Sequence, residues 1–249
     1  MVSKRDSGYP LQYMLHTQEF MGLDFYVEEG VLIPRPDTET LVEKIINIVK
    51  DSKYKDKTIN ILDIGTGTGI LSLMMAQRYE KANIVAIDCD KDAIKQAKEN
   101  FDNSQFADRI TTSHCLIQDF QSIHLYDAII CNPPYFVNSL KCKDSSRTVA
   151  RHTSTLTFAE LMSNANRLLN TEGELSIIIP TDYESDIIAE AIICGFFLKR
   201  ICKIKTTINK NAKRVMLAFA KMPVGTIERD EIIIGSDKYK SLTDDFYIK

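Results

Sequence analysis

The sequence predicts an α/β fold: a Rossmann-like, mostly parallel seven-stranded sheet with helices on both faces. Three observations predict it. From Asn60 onward, short apolar strand-like runs alternate with stretches of helical periodicity, the rhythm of strand–helix–strand units. The glycine-rich stretch Gly65-Thr66-Gly67-Thr68-Gly69 stands where the first strand gives way to the first helix. The last two extended runs, 196–206 and 214–221, are separated by Asn209-Lys210-Asn211, so an antiparallel finish at one edge is expected.

The segment 1–49 differs in character from the rest. Residues 18–27 are extended and aromatic, Gly30, Pro34 and Pro36 punctuate the next stretch, and a helix is expected to begin at Asp37. Asp37 or Thr38 can cap that helix, and Glu39 suits its positive end. Too small for a core of its own, this segment is expected to pack over the sheet as a lid or hairpin arm, with 50–249 as the main domain. In that domain the strands are expected at 60–64, 83–87, 111–115, 127–131, 174–180, 196–206 and 214–221. The helices are expected at 70–78, 90–103, 155–169 and 184–194, with Gly173 as a break before the fifth strand.

Composition narrows the function classes. No run approaches 18 apolar residues and no secretory h-region opens the chain, so a cytoplasmic protein without a membrane span is expected. Cys89, Cys115, Cys131, Cys142, Cys194 and Cys202 have no metal-ligand spacing, and the four histidines form no HxxxH or HExxH pair. The cysteines read as small hydrophobes in a reducing compartment, and no metal is expected. A net charge of −3 argues against gripping nucleic acid by overall charge. The stretch 199–214 nevertheless carries Lys199, Arg200, Lys203, Lys205, Lys210, Lys213 and Arg214 with no acid among them. Such a run is either a solvated face or a phosphate-binding patch.

The cofactor signal lies at the first strand's end. Glycine lets a backbone turn tightly and approach a ligand without a Cβ clash, the logic of nucleotide-binding turns. A GxGxG alone is shared by nicotinamide, flavin and S-adenosylmethionine sites. Asp63, before Gly65, shifts the balance: its carboxylate can face the ammonium of a methionine moiety but would repel a pyrophosphate. Asp88, ending the second strand, can accept from ribose hydroxyls, and Asp119, after the third, from an adenine amino group. Their plain alternatives are helix caps and a surface turn. Together with Gly65, Gly67 and Gly69, these acids outline an S-adenosyl-L-methionine site.

Asn132-Pro133-Pro134-Tyr135 is the most specific motif. Two consecutive prolines restrict the backbone and remove two donors, which holds Asn132 and the following carbonyls rigid. A planar exocyclic nitrogen is a poor nucleophile because its lone pair is delocalised. The Asn132 side-chain oxygen and the Pro133 carbonyl can accept its two hydrogens and stabilise positive charge that develops on it. Tyr135 can stack on a flat base or amide. An oxidoreductase would need a proton relay, and no Tyr-xxx-Lys pair announces one. His152 can line or cap the loop as readily as act in chemistry.

These residues resemble the class I S-adenosylmethionine methyltransferases that modify exocyclic nitrogens through an Asn/Asp-Pro-Pro-Tyr/Phe motif. From about 60 to 249 the chain resembles the bacterial valine-tRNA (adenine-N6)-methyltransferases that act on adenosine 37. The matching pieces are 61–69, 132–136, Arg147-Thr148-Val149-Ala150-Arg151-His152-Thr153, Lys213-Arg214-Val215-Met216-Leu217 and Leu242-Thr243-Asp244-Asp245-Phe246-Tyr247. This resemblance implies that Asp63, Gly65, Asp88 and Asp119 hold the cofactor and that 132–135 hold adenine. Arg147, Arg151, Lys203, Lys205, Lys210 and Arg214 are the expected tRNA contacts. The first fifty residues, through Pro10-Leu11-Gln12-Tyr13, Gln18-Glu19-Phe20-Met21-Gly22-Leu23 and Val31-Leu32-Ile33-Pro34-Arg35-Pro36-Asp37-Thr38-Glu39, instead resemble release-factor glutamine methyltransferases. The Lys-Val-Gly-Thr-Asp-Gly segment of the adenine family and the glutamine family's Glu-Ile-Gly pattern after strand five do not occur in the chain, and the stretch before the hairpin is expected to be too short for the glutamine family's helical N-terminal domain. A glutamine-methyltransferase arm joined to an adenine-methyltransferase body is expected. A natural fusion, engineering and an unusual family branch all fit it. N6 of adenine in tRNA is the expected target, with N5-methylation of a release-factor glutamine as the alternative.

Overall fold

The computed structural model describes residues 9–20, 23–28, 57–133 and 156–243. In chain order the elements are α1 (Leu11–Leu15), β1 (Thr17–Phe20), β2 (Leu23–Tyr26), β3 (Ile59–Ile64), α2 (Ile70–Arg78), β4 (Ala82–Asp88), α3 (Lys91–Asp102) and β5 (Ile110–His114). There follow β6 (Tyr126–Cys131), α4 (Phe158–Leu168), β7 (Leu169–Pro180), α5 (Glu184–Ile193), β8 (Phe197–Lys205), β9 (Arg214–Ala220), β10 (Glu228–Ile233) and α6 (Asp237–Thr243).

The main sheet has the order β10-β8-β9-β7-β6-β3-β4-β5. Its central strands are parallel and β9 runs against both β7 and β8. β3 shows why the centre forms. Ile59, Ile61, Leu62 and Ile64 are buried, a nearly continuous apolar run that suits a strand covered on both faces. Alternate residues go to opposite faces: Ile59 and Ile61 join the layer containing α2 and α3, while Leu62 and Ile64 join that of α4 and α5.

Two expectations are corrected. The sheet has eight strands rather than seven, because Glu228–Ile233 adds a strand parallel to β8. The last two predicted runs do pair antiparallel, as β8 and β9, but they do not finish the sheet: β9 inserts between β7 and β8, and β10 forms the edge. The added strand is mostly charged, which hides it from a hydrophobic pattern; only its Ile232 is buried. Its acids face the basic β8, with Arg200 paired to Glu228 at 2.8 Å and Lys205 to Glu231 at 2.9 Å. Opposite charges across neighbouring strands favour the pairing.

The break expected at Gly173 is absent: β7 begins at Leu169, directly after α4. A Cβ on Gly173 would stand 2.8 Å from Leu169 Cδ1 and 3.0 Å from the Asp127 carbonyl, so this glycine serves close packing. Helix α4 starts later than expected, with Thr157 and Glu160 forming a reciprocal capping box. The helix expected from Asp37 lies outside the described residues. β1 and β2 form a separate antiparallel hairpin, and its Phe20 and Phe25, with the adjoining Val27, are buried in the same layer as α2 and α3.

Candidate active site

Register brings the site residues together. Ile64 pairs with Ile87 on one side and with Cys131 on the other, so Asp88, Gly65 and Asn132 stand side by side as three strands end. With neighbouring strands about 4.8 Å apart, this edge spans roughly 10 Å from Asp88 to Asn132, a distance a nucleoside can bridge.

The turn after β3 is held by its own backbone and by side chains beneath it. Gly65 and Thr66 donate their N–H groups to the Ile87 carbonyl at 2.9 and 3.1 Å. Gly65, Gly67 and Gly69 have φ of 71°, 58° and 85°, the left-handed region that other residues enter at a cost. Gly69 meets a second demand, since a Cβ there would lie 2.4 Å from the Phe101 ring.

Asp63 is fully buried under this turn, and its Oδ2 accepts from Thr66 Oγ1 at 2.8 Å and Ser72 Oγ at 2.7 Å. Its Oδ1 has no hydrogen-bond partner among the described residues. Burial lifts the carboxyl from 3.8 to about 6; the two hydroxyls oppose that rise and Asp88 adds to it. A buried carboxylate with an unanswered oxygen projects negative potential toward the edge above it. That potential fits a cationic amino group on the ligand.

Asp88 accepts from Gly67 N–H at 3.0 Å through Oδ2 and from Asp90 N–H at 3.0 Å through Oδ1. Burial raises its pKa, against the opposing backbone hydrogen bonds from Asp90 and Gly67. Each oxygen keeps acceptor capacity for hydroxyl donors. Asp119 is exposed in the turn after β5. Arg167 of α4 holds this turn, donating to the Phe120 carbonyl at 3.0 Å and the Ile117 carbonyl at 3.3 Å. Asn132 is half-buried and Pro133 buried immediately beyond β6. Pro134, Tyr135, Arg147, Arg151, His152 and Cys142 lie outside the described residues.

The basic run divides in space. Lys199 and Arg200 reach Glu174 at 2.8 and 3.3 Å, Lys203 pairs with Glu184, and Lys205 with Glu231. The compensating acids missing from the run in sequence therefore arrive from β7, α5 and β10. Lys210 and Lys213 are exposed in the 206–213 loop. Pro180 pairs with Arg214, and Thr181 N–H donates to the Lys213 carbonyl at 3.1 Å, which puts this loop at the same sheet edge as Asn132.

Gln96, Asn100 and Arg167 touch the site's framework and escape a sequence reading. The available signal was two amides within the buried stripe of α3. Among the described residues no group of three His, Cys, Asp or Glu side chains could hold a metal, and no helix is long and apolar enough to cross a membrane. Of the described cysteines, Cys131 and Cys202 are buried, as small hydrophobes would be, Cys115 and Cys194 are half-buried, and Cys89 is exposed.

Comparison with known proteins places the chain among methyltransferases. Residues 38–194 match the family model of the methyltransferase small domain. A protein of Phocaeicola vulgatus, named tRNA1(Val) (adenine(37)-N6)-methyltransferase, is 44% identical over 195 residues, covering 76% of this chain and 82% of that protein. A protein of the same name from Tolumonas auensis is 36% identical over 231 residues, covering 90% and 94%. The fold is also that of a methyltransferase solved from Pyrococcus furiosus, with a TM-score of 0.59 at 20% identity, over 88% of this chain and all (100%) of that one.

Proposed function

Because the chain belongs to the methyltransferase small domain family, we propose that it methylates N6 of adenosine 37 in valine tRNA, with S-adenosyl-L-methionine as donor. The observation that carries this reading is Asn132 standing beside the Asp63–Gly69 turn on one sheet edge, in a chain 44% identical to an enzyme named for that reaction. The chain is an S-adenosylmethionine-dependent N-methyltransferase. The release-factor alternative is not retained, since both relatives described above carry the tRNA name.

When bound, the donor supplies a methyl group already activated on a sulfonium, so no covalent enzyme intermediate is required. Asp63 supplies negative potential for the donor's amino group, Asp88 accepts from its ribose hydroxyls, and Asp119 accepts from its adenine amino group. Asn132 Oδ1 and the Pro133 carbonyl accept the two N6 hydrogens of the target adenosine. These contacts aim the nitrogen lone pair and strengthen as that nitrogen becomes positive. Pro134 stiffens the motif, and Tyr135 stacks on the target base. Orientation at near-attack distance contributes much of the acceleration.

The 1–49 segment is read as an arm on the 50–249 catalytic domain. Arg147, Arg151, Lys203, Lys205, Lys210 and Arg214 are proposed to contact tRNA phosphates, with Lys203 and Lys205 contributing less than the exposed Lys210 because each already holds an acid. A tRNA substrate assigns the reaction to the cytoplasm. The test is to incubate the chain with labelled donor and either unmodified valine tRNA or release factor, then map the product by mass spectrometry. N6-methyladenosine at position 37 is expected; methylglutamine in release factor, with unmodified tRNA, overturns the reading.

A further inference from the structure

Helix α3 carries two amides where an amphipathic helix ordinarily places apolar side chains. Its buried stripe is Ala93, Gln96, Ala97, Asn100 and Phe101, at helical spacing. Gln96 is 3% and Asn100 6% exposed, and burying an amide is costly unless it finds hydrogen-bond partners. Both do. Asn100 Oδ1 accepts from the Tyr26 N–H at 2.8 Å, while its Nδ2 donates to the Thr68 carbonyl at 2.9 Å and the Tyr26 carbonyl at 3.2 Å. Gln96 Oε1 accepts from the Glu28 N–H at 3.0 Å. One helix face thus seats two separate pieces of chain: the end of the glycine-rich turn and the outgoing strand of the hairpin. Asn100 touches both.

We propose that Asn100 is a positioning residue coupling the docked hairpin to the Gly65–Gly69 turn, so that hairpin docking and donor binding are thermodynamically linked. The inference rests on reading that turn as the donor site. The chemistry is specific to a carboxamide, which offers one acceptor and two donors in a planar head. An ionised aspartate has the same shape but sets a charge against two carbonyls. The Phe101 ring, packed where a Gly69 side chain would stand, fixes the turn against the same helix, so a shift of α3 moves both. Linkage is reciprocal: if the docked hairpin favours the donor-binding turn, donor binding favours the docked hairpin equally.

The experiment uses the full chain and S-adenosylhomocysteine as probe, with calorimetry for affinity and amide hydrogen exchange read at Tyr26 and Glu28. In the unaltered chain the probe is expected to slow exchange at both amides. Asn100→Asp and Asn100→Ala are expected to bind it about 5- to 150-fold more weakly, the ordinary range of coupling. In those variants the probe no longer protects Glu28, whose own bond to Gln96 is intact. Gln96→Ala leaves the Thr68 contact in place, so it should lose less affinity and keep probe-dependent protection at Tyr26. A purely structural role would lower the melting temperature without removing that dependence. If the unaltered chain binds the probe and hairpin exchange does not respond, or if folded Asn100 variants bind with full affinity, the coupling is overturned and the donor site stands. A chain that does not bind the probe overturns both. Should the Asn100 variants not fold, the exchange response of the unaltered chain and of Gln96→Ala decides the matter.

Discussion

At Asp63, burial lifts the carboxyl to about 6 in the folded chain, from an ordinary 3.8. The sign follows from proton linkage. A group whose pKa is raised by folding is fully stabilising below its unfolded value, and that contribution is lost as pH rises through the folded one. A shift of about two units corresponds to about 3 kcal/mol, lost between roughly pH 4 and pH 7. Asp63→Asn cannot titrate, so its stability relative to the unaltered, ligand-free chain should be about 3 kcal/mol more favourable at pH 7.5 than at pH 4. Urea unfolding at the two pH values measures this, and an equal difference at both would show that the charge is not buried at a cost. Asn132 calls for a different test. Asn132→Ala should bind S-adenosylhomocysteine within about twofold of the unaltered chain while kcat falls about 10²- to 10³-fold, the range for a missing transition-state hydrogen-bond partner. Single-turnover methylation of tRNA checks it; normal turnover denies Asn132 its place. Both residues were legible because each lies at a strand's end and begins or ends a motif. Asn100 and Gln96 were not, since a buried amide within a helical stripe looks in sequence like one of that helix's surface residues.

Elements were legible wherever burial on two faces imposed a continuous apolar run, as in β3, or helical spacing imposed a stripe, as in α4. β10 failed that test because charge pairing with β8 and the single buried Ile232 hold it, and neither leaves an apolar pattern. The ends of elements depended on caps. Thr157 Oγ1 accepts from Glu160 N–H at 3.2 Å while Glu160 Oε2 accepts from Thr157 N–H at 2.8 Å, which fixes the start of α4. Thr157→Ala should destabilise the chain by about 1 kcal/mol, as removal of such a cap ordinarily does. Donor affinity should hardly change, because the Arg167 contacts to the Asp119 turn come from the other end of the helix. Equilibrium unfolding paired with calorimetry separates the two effects, and a large loss of affinity would mean that the cap reaches the site.

At the scale of the whole molecule, the parallel strands gather their carboxyl ends, and with them the glycine-rich turn, Asp88, Asn132 and the 206–213 loop, onto one edge. A chain of net charge −3 can therefore meet a polyanion locally. Lys210→Glu/Lys213→Glu should weaken tRNA binding and lower the slope of log affinity against log salt by about one for each phosphate no longer neutralised, with donor affinity kept. Lys203→Glu/Lys205→Glu should act more on stability, since it sets each new acid against Glu184 or Glu231. Filter binding across a salt series, with unfolding curves for both variants, distinguishes them; an unchanged slope for the loop variant would move the docking surface elsewhere. The sequence by itself determined the α/β class, the glycine-rich turn and the Asn132-Pro133 motif, because periodicity and backbone restriction are local properties of the chain. Only the tertiary structure decided that β9 lies inside the sheet, that the basic run is largely neutralised by Glu174, Glu184, Glu228 and Glu231, and that Asn100 joins the hairpin to the turn. Each of these depends on strand order and on which distant residues become neighbours, and contacts between distant segments are set by packing of the whole chain.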